Sequence, residues 1–200
     1  MSETEPNSVV EGVRRAIAKH GAQGATMERI AGAMGISRMT LHRRGLSREA
    51  IIAALRDEMA REERDAQWPA ITAPGSAADR LELALRAVCG VTEANLELLE
   101  ALAADAWDAV YHEAGDDALT RREFTAPLRR LLEDGVVDGT LDPGGDLDET
   151  ATVLYNQVGW TYRHLRSGHR WRARRAEDAV VRLARSFSDT ETWPLRAATA

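Results

Sequence analysis

The residues best suited to chemistry lie in one short stretch near the N-terminus. Four arginines and no acidic residue occur from Ile36 to Arg48, although the whole chain carries a formal net charge of −6. An arginine guanidinium can donate two parallel hydrogen bonds to the O6 and N7 atoms of guanine, or to the oxygens of a phosphate. Positive charge confined to one segment of an acidic chain indicates a local surface for nucleic acid, and a merely solvated helix face is the alternative interpretation.

Four residues at helix-boundary positions frame this stretch. Thr26 and Ser37 are of the types that cap helix N-termini, and each precedes a short helical pattern. Gly35 and Gly45 follow the two patterns, and an aliphatic residue comes directly after each glycine. A glycine in the left-handed conformation, followed by an apolar residue that folds back, is a common helix C-terminus. The sequence therefore predicts two short helices joined by a tight turn, as in a helix-turn-helix unit.

The second of these helices is expected to present a polar face. Leu41 would point inward together with Ile30 and Ile36, because the helical period places it on the side of the turn. The residues left facing outward are Arg38, Met39, Thr40, His42 and Arg43. A basic face at the start of a second helix is the part of such a unit that enters the major groove of DNA.

The segment TMERIAGAMGISRMTLHRRGLSREAI, from Thr26 to Ile51, resembles the N-terminal domain of the tetracycline-repressor (TetR) family of bacterial transcriptional regulators. The shared pattern is a capping Thr, an Ile-Ala pair, a Gly-hydrophobic turn, Ser-Arg-x-Thr-Leu, and Ser-basic-Glu-x-aliphatic. Two positions depart from it. His42 stands where the family usually has Tyr, and Gly45 stands where it usually has an aromatic or aliphatic core residue.

The resemblance implies roles for individual side chains. It implies that Arg38, Met39 and Thr40 approach base edges and that Thr26, His42 and Arg48 contact phosphates. With the cap residue and one further cation, the candidate DNA-binding residues are Thr26, Ser37, Arg38, Met39, Thr40, His42, Arg43 and Arg48. Three alternatives stay open: Arg43 and Arg44 could be solvated cations at the negative end of the helix dipole, Arg48 could be a surface cation, and His42 could be a packed, partly buried ring.

Helical periodicity nearly throughout the chain predicts an all-α fold with two domains. Residues 1–50 are expected to form a three-helix DNA-binding domain, and residues 51–200 a larger helical domain for ligand binding and dimerisation. Ser8 is predicted to cap the first helix, the segment QWPAITAPGSA to connect two helices, and DGVVDGTLDPGG to be a turn-rich loop.

The last two long helices predict a homodimer. The first of them has apolar residues on more than one side, the second adds further apolar residues, and a four-helix bundle formed by two copies would bury them. The residues expected at this interface are Leu154, Val158, Tyr162, Leu165, Val180, Leu183 and Phe187. Val153, Trp160 and His164 form another flank of the first of these helices, and the sequence does not decide which flank faces a partner and which lines a pocket. The alternative is a core within one protomer.

Four aromatic residues are candidates for an effector site, which the family resemblance implies among the middle helices. They are Trp107, Tyr111, Phe124 and Tyr155. Asn156 and Gln157 could supply the few polar groups that such a pocket needs. The apolar character of the four aromatic residues favours a mainly hydrophobic small molecule, although from spacing alone such residues are more often ordinary core.

Enzyme classes are excluded by missing motifs. The chain has no Walker loop, no G-x-S-x-G, no H-E-x-x-H, no Rossmann fingerprint and no Glu-x-x-His pair. The single cysteine, Cys89, is interpreted as a small buried hydrophobe, so no cofactor and no metal site are predicted. The acidic N-terminus and the lack of a long apolar segment predict a cytoplasmic protein.

These observations together predict a homodimeric transcriptional regulator. Its expected partners are a palindromic double-stranded DNA operator and an unidentified small-molecule effector, with repression relieved when the effector binds. The alternative from another class is a helical small-molecule-binding or protein-interaction module that does not bind DNA.

Overall fold

The computed structural model describes residues 6–102, 109–115 and 117–188. These residues form helices and no strand, which confirms the all-α prediction. The α-helices are α1 (Pro6–His20), α2 (Met27–Ala33), α3 (Arg38–Arg43), α4 (Arg48–Thr72), α5 (Ala77–Ala94), α6 (Leu96–Ala101), α7 (Arg122–Asp138), α8 (Leu147–Arg163) and α9 (Ala173–Ser188). A 3-10 turn, Ala22–Gly24, follows α1, and a π-helical turn, His164–Gly168, follows α8. In the described ranges, no helix is both long and apolar enough to cross a bilayer.

The chain divides into two compact units. The first unit comprises Met1–Glu62 with Asn95–Ala118, and the second comprises Glu63–Ala94 with Leu119–Ala200. The long helix α4 contributes residues to both units. The predicted boundary at residue 50 falls near the beginning of this helix and stays a prediction.

The first unit is built around α1, which packs against α2 and α6. Val9, Val13 and Ile17 recur at helical spacing on one face of α1 and are buried. Helix α1 begins at Pro6, so the prediction that Ser8 caps it is wrong. Proline at the start of a helix costs no hydrogen bond, because the first backbone N–H groups have no acceptor within the helix.

The segment predicted as a Pro-Gly connection is largely helical. Helix α4 continues through Pro69 and ends at Thr72, so the connection to α5 is only residues 73–76. Proline removes one backbone hydrogen bond, and here this loss falls in the last turns of a 25-residue helix. At the beginning of the next helix, the Ser76 hydroxyl accepts from the backbone N–H of Asp79 at 3.2 Å.

The second unit is a bundle in which α5 packs against α7, α8 and α9, and α8 packs against α7 and α9. Its core contains leucine and valine side chains from each of these helices, among them Leu85, Leu128, Val158 and Val181. Cys89 lies in this core and is 1% exposed, as its sequence context predicts. Burial raises the pKa of its thiol to about 12, so the sulfur stays protonated.

Part of the predicted loop DGVVDGTLDPGG also belongs to a helix. Helix α7 extends to Asp138 and ends at Gly139, whose φ of 74° lies in the left-handed region. The chain then folds back, and the backbone N–H of Leu141 donates to the carbonyl of Gly135 at 3.1 Å. Leu141 is buried against this part of α7, at 5% exposure.

This close approach makes Gly135 a test of the packing. A Cβ added at Gly135 would lie 2.6 Å from the Cβ of Leu141, so Gly135→Ala should destabilise the protein by about 1–3 kcal/mol. Gly90→Ala is the matched control, because a Cβ at Gly90 in α5 meets open space and alanine favours a helix by about 0.5–1 kcal/mol. Urea unfolding at equal protein concentration measures both changes. Equal stability of the two variants would contradict the tight contact.

Candidate nucleic-acid interface and effector site

Two capping side chains fix the beginnings of the short helices. The Thr26 hydroxyl oxygen accepts from the backbone N–H of Arg29 at 3.4 Å, at the N-terminus of α2. The Ser37 hydroxyl accepts from the backbone N–H of Thr40 at 3.1 Å, at the N-terminus of α3. The two predicted caps are therefore confirmed. Both residues are exposed at the surface.

Two left-handed glycines end the same helices. Gly35 has a φ of 71° and Gly45 a φ of 72°. After the first, the backbone N–H of Ile36 donates to the carbonyl of Ala31 at 3.0 Å, and after the second, the N–H of Leu46 donates to the carbonyl of Leu41 at 3.1 Å. These are the hydrogen bonds of a glycine-terminated helix. They hold the beginning of α3 and the beginning of α4 at fixed orientations within the first unit.

The exposed side of α3 carries the predicted DNA-binding residues. Leu41 is 1% exposed and anchors the helix, whereas Met39 is 75% exposed. Arg38, His42 and Arg43 are also exposed, and Thr40 is half-buried. From this exposed position Met39 can make apolar contact with the methyl groups of thymine.

Arg48 is the first residue of α4 and is exposed. The Ser47 hydroxyl accepts from the backbone N–H of Ala50 at 3.2 Å and so caps this helix. A side-chain hydrogen bond with Ser47 lowers the pKa of Glu49, and its own backbone N–H lowers it further. Glu49 is therefore charged at neutral pH beside Arg48, and it offsets part of the positive charge at this end of α4.

A polar network that the sequence did not reveal ties α1 to α4 within the first unit. Arg14 forms an ion pair with Glu62, with 2.8 Å between Nη2 and Oε1. The side-chain amide of Asn95 donates to the other carboxylate oxygen of Glu62, also at 2.8 Å. Because these residues are far apart in the chain, no local pattern could have predicted the network.

The structure brings together two of the four aromatic effector candidates. Phe124 and Tyr155 are buried in the second unit, with ring centroids 5.9 Å apart. Tyr111 belongs to the first unit, where its hydroxyl lies 4.0 Å from the sulfur of Met59. Trp107 lies outside the described residues. Asn156, a predicted polar contributor, instead donates to the Thr120 hydroxyl at 2.7 Å.

A buried polar cluster adjoins the aromatic pair, and sequence reasoning missed it. The Tyr155 hydroxyl donates to Glu63 Oε1 at 3.2 Å, and the Gln67 amide donates to Glu63 Oε2 at 3.1 Å. Glu63 is 3% exposed and Gln67 is fully buried. Gln67 Oε1 has no hydrogen-bond partner among the described residues. A buried acceptor without a donor is costly, so it is a candidate contact for a donor group of a ligand.

The predicted dimer-interface residues fall into three groups. Four of them are buried within the second unit of one protomer, so their own chain already covers these side chains. They are Leu154, Val158, Tyr162 and Val180. Leu165 is half-buried, and Leu183 is 48% exposed. The side chain of Phe187 lies outside the described residues.

The exposed apolar surface of α8 is the flank that the sequence set apart from the predicted interface. Val153 is 62% exposed and Trp160 is 46% exposed, and their seven-residue separation places them on one face. Buried Tyr162, in contrast, donates to Glu93 at 3.0 Å, and burial raises its pKa above the ordinary value. The structure thus assigns the stripe containing Val158 to the protomer core.

No protein-family model and no curated protein matches the chain. Solved structures match nearly its whole length. The transcriptional regulator FadR from Bacillus subtilis, in complex with stearoyl-CoA, has a TM-score of 0.67 and 15% identity, over 90% of this chain and 98% of that one. PfmR, a TetR-family regulator from Thermus thermophilus, has a TM-score of 0.59 and 18% identity, over 88% and 96%.

A TetR/AcrR-family regulator from Thermobifida fusca has a TM-score of 0.56 and 18% identity, over 92% of this chain and 97% of its own. The chain therefore has the fold of the TetR-family transcriptional regulators, as the resemblance of its N-terminal segment predicts. These solved structures are of transcriptional regulators and not of enzymes.

Proposed function

We propose that this protein is a cytoplasmic transcriptional repressor that binds a palindromic operator as a homodimer and leaves it when a small molecule binds. The observation that carries the proposal is the exposed face of α3, which presents Arg38, Met39 and Thr40 from a helix fixed at both ends. Its basic segment contains no acid from Ile36 to Arg48. A rigid helix with such a face fits the major groove.

The proposed DNA contacts are of two kinds, contacts to base edges and contacts to phosphates. Arg38 would read a guanine, Met39 a thymine methyl group, and Thr40 either a base edge or a phosphate. Five residues around these base contacts would contact the phosphate backbone. They are Thr26, Ser37, His42, Arg43 and Arg48. Phosphate contacts set the position of a protein on DNA, and base contacts supply the sequence preference.

Selection from random duplex DNA tests this function. We expect the selected sequences to contain an inverted repeat, because two copies of α3 related by a two-fold axis read two half-sites. Affinity should fall steeply with salt as counterions leave the contacted phosphates. Selection of no sequence, together with failure to bind a DNA column at low salt, would favour the non-DNA-binding module instead.

For dimerisation we propose the exposed apolar face of α8 and α9, defined by Val153, Trp160 and Leu183. Their exposures range from 46% to 62%, and they lie on two helices that pack against each other. A second copy of the same face would cover them in a four-helix arrangement. This proposal replaces the buried stripe with the flank whose apolar side chains are exposed to solvent in one protomer.

For effector binding we propose the region of Phe124 and Tyr155, with Glu63 and Gln67 as its polar side. The aromatic rings would contact an apolar body, and Gln67 Oε1 would accept a hydrogen bond from a donor on the effector. The proposed effector is thus a mainly hydrophobic molecule that carries at least one N–H or O–H group.

The effector proposal predicts reciprocal coupling. A compound that releases operator should bind the DNA complex about 5- to 150-fold more weakly than the free protein, because the coupling free energy acts equally on both ligands. Phe124→Ala should reduce the response to the compound. Val137→Ala is the control, since Val137 is 85% exposed on α7 and lies outside the proposed site.

Calorimetric titrations with the compound, in the presence and in the absence of operator, measure both effects. Equal release from parent and Phe124→Ala would contradict the site. Equal affinity with and without operator would contradict the switch.

A further inference from the structure

A separate cavity lies entirely within the first unit, among the elements that hold the candidate DNA-binding residues. It has a volume of about 350 Å³ and is bounded by α1, α2, α4, α6 and the 3-10 turn after α1. Its walls are aliphatic, with Ile17 from α1, Leu55 from α4 and Leu98 from α6 all buried. A cavity of this size lies at the lower end of the range that holds small organic ligands.

Three of the described residues that line this cavity are polar. They are Gln23, Thr26 and Arg48, and Arg48 is the only charged group among the described lining residues. The Thr26 oxygen already accepts from the backbone N–H of Arg29, so its hydroxyl hydrogen is available to donate. One guanidinium, one hydroxyl donor and one amide beside an aliphatic chamber complement an anionic head on an apolar chain.

The side chains that line the cavity restrict the chemical class of the ligand further. No acid and no aromatic side chain occurs among the described lining residues. A planar aromatic ligand would find no ring to stack on, and a cation would face Arg48. A flexible aliphatic chain fits a chamber of branched side chains, and its length is limited by the volume.

We propose that this cavity binds a medium-chain aliphatic carboxylate, about eight to ten carbons long given the small volume, with Arg48 and Thr26 on the carboxylate. Arg48 and Thr26 are also proposed phosphate contacts. A carboxylate held by them would therefore compete with the DNA backbone, and the ligand would weaken operator binding from within the first unit. This effect on operator binding rests on the proposed function, whereas the binding of the carboxylate does not.

Calorimetry with the full chain and sodium octanoate, sodium decanoate and 1-decanol tests the binding. We expect one decanoate per chain, with affinity rising about fourfold for each added methylene that the cavity buries. Decanol, which lacks the charge, should bind at least about tenfold more weakly than decanoate, as expected for the loss of a charged hydrogen bond.

Three variants locate the site. Arg48→Gln should weaken decanoate about tenfold and leave decanol unchanged, because only the charged contact is removed. Ala101→Trp should abolish binding of both compounds, since Ala101 lines the cavity and an indole would fill it. Arg44→Gln removes an exposed arginine of the same unit that does not line the cavity, and it should bind decanoate as the parent does.

A further variant guards against misfolding of Ala101→Trp. Leu98→Ala should enlarge the cavity and shift the preferred chain from decanoate towards dodecanoate. Unchanged decanoate affinity in both Arg48→Gln and a folded Ala101→Trp would overturn the proposal, as would an unchanged chain-length preference in Leu98→Ala.

Operator binding is measured separately by fluorescence anisotropy with the selected DNA. Decanoate should raise the operator Kd of the parent and leave that of Ala101→Trp unchanged. A protein that binds decanoate as described but selects no DNA would contradict the proposed function alone. A protein that binds operator but gives no decanoate signal in calorimetry would contradict this cavity site alone.

Discussion

Trp160→Glu is expected to give a folded monomer that binds the operator at least about 100-fold more weakly, equivalent to about 2.8 kcal/mol. Trp160 is 46% exposed in one protomer and belongs to the face proposed to contact a second copy. Glutamate at this position is tolerated in water, but burying it without a partner in an apolar interface is costly. A monomer has only one reading helix, so it loses the second half-site of a palindrome.

Two controls separate the interface from the core. Val158→Glu should unfold the protomer rather than dissociate the dimer, because Val158 is fully buried. Val137→Glu, at a position that is 85% exposed on α7, should keep both the dimer and operator binding. Analytical ultracentrifugation gives the oligomeric state, and circular dichroism shows whether each variant folds. A dimeric Trp160→Glu that binds operator normally would exclude this face.

Arg38→Ala is expected to relax the base preference at one position in each half-site, at a cost of about 1–3 kcal/mol on the preferred sequence. The side chain is exposed at the beginning of α3, and its guanidinium can donate to both acceptors of a guanine. Sequences that already carry another base at that position should lose little. The variant would therefore show a smaller difference between good and poor operators.

Arg48→Ala is the matched comparison, because it also removes one exposed arginine of the first unit. It should weaken all sequences by a similar factor and reduce the slope of log K against log salt by about one, as the loss of a phosphate contact requires. Anisotropy titrations on single-base operator variants at several salt concentrations measure both patterns. An equal loss on every sequence for Arg38→Ala would remove Arg38 from base recognition.

Interactions between near neighbours in the chain were predictable from the sequence. The caps at Thr26 and Ser37 and the glycine-terminated ends at Gly35 and Gly45 depend on backbone groups only three to five residues away. Residue types at fixed short spacings therefore determine them. The same local information places Leu41 inside and the basic residues of α3 outside, so most of the candidate DNA surface follows from the sequence.

The ends of helices were less predictable where tertiary packing stabilises a helix across residues that usually interrupt one. Pro69 and the glycines after Glu133 are residues that usually interrupt helices, yet α4 and α7 continue through Pro69 and Gly135. At Gly135 the reason is visible, because the absence of a side chain allows Leu141 to pack against the helix. Burial of the returning chain outweighs the low helix propensity of glycine.

The sequence by itself thus determined the all-α class, the helix α3 and the residues on its exposed face. Only the tertiary structure decided which flank of α8 is buried, because an apolar stripe at helical spacing is the same whether its own chain or a second copy covers it. It alone also joined Glu63 to Tyr155 and Arg14 to Glu62, and it alone formed the cavity beside Arg48. These features depend on contacts between residues distant in the chain, which the packing of helices creates and no local pattern encodes.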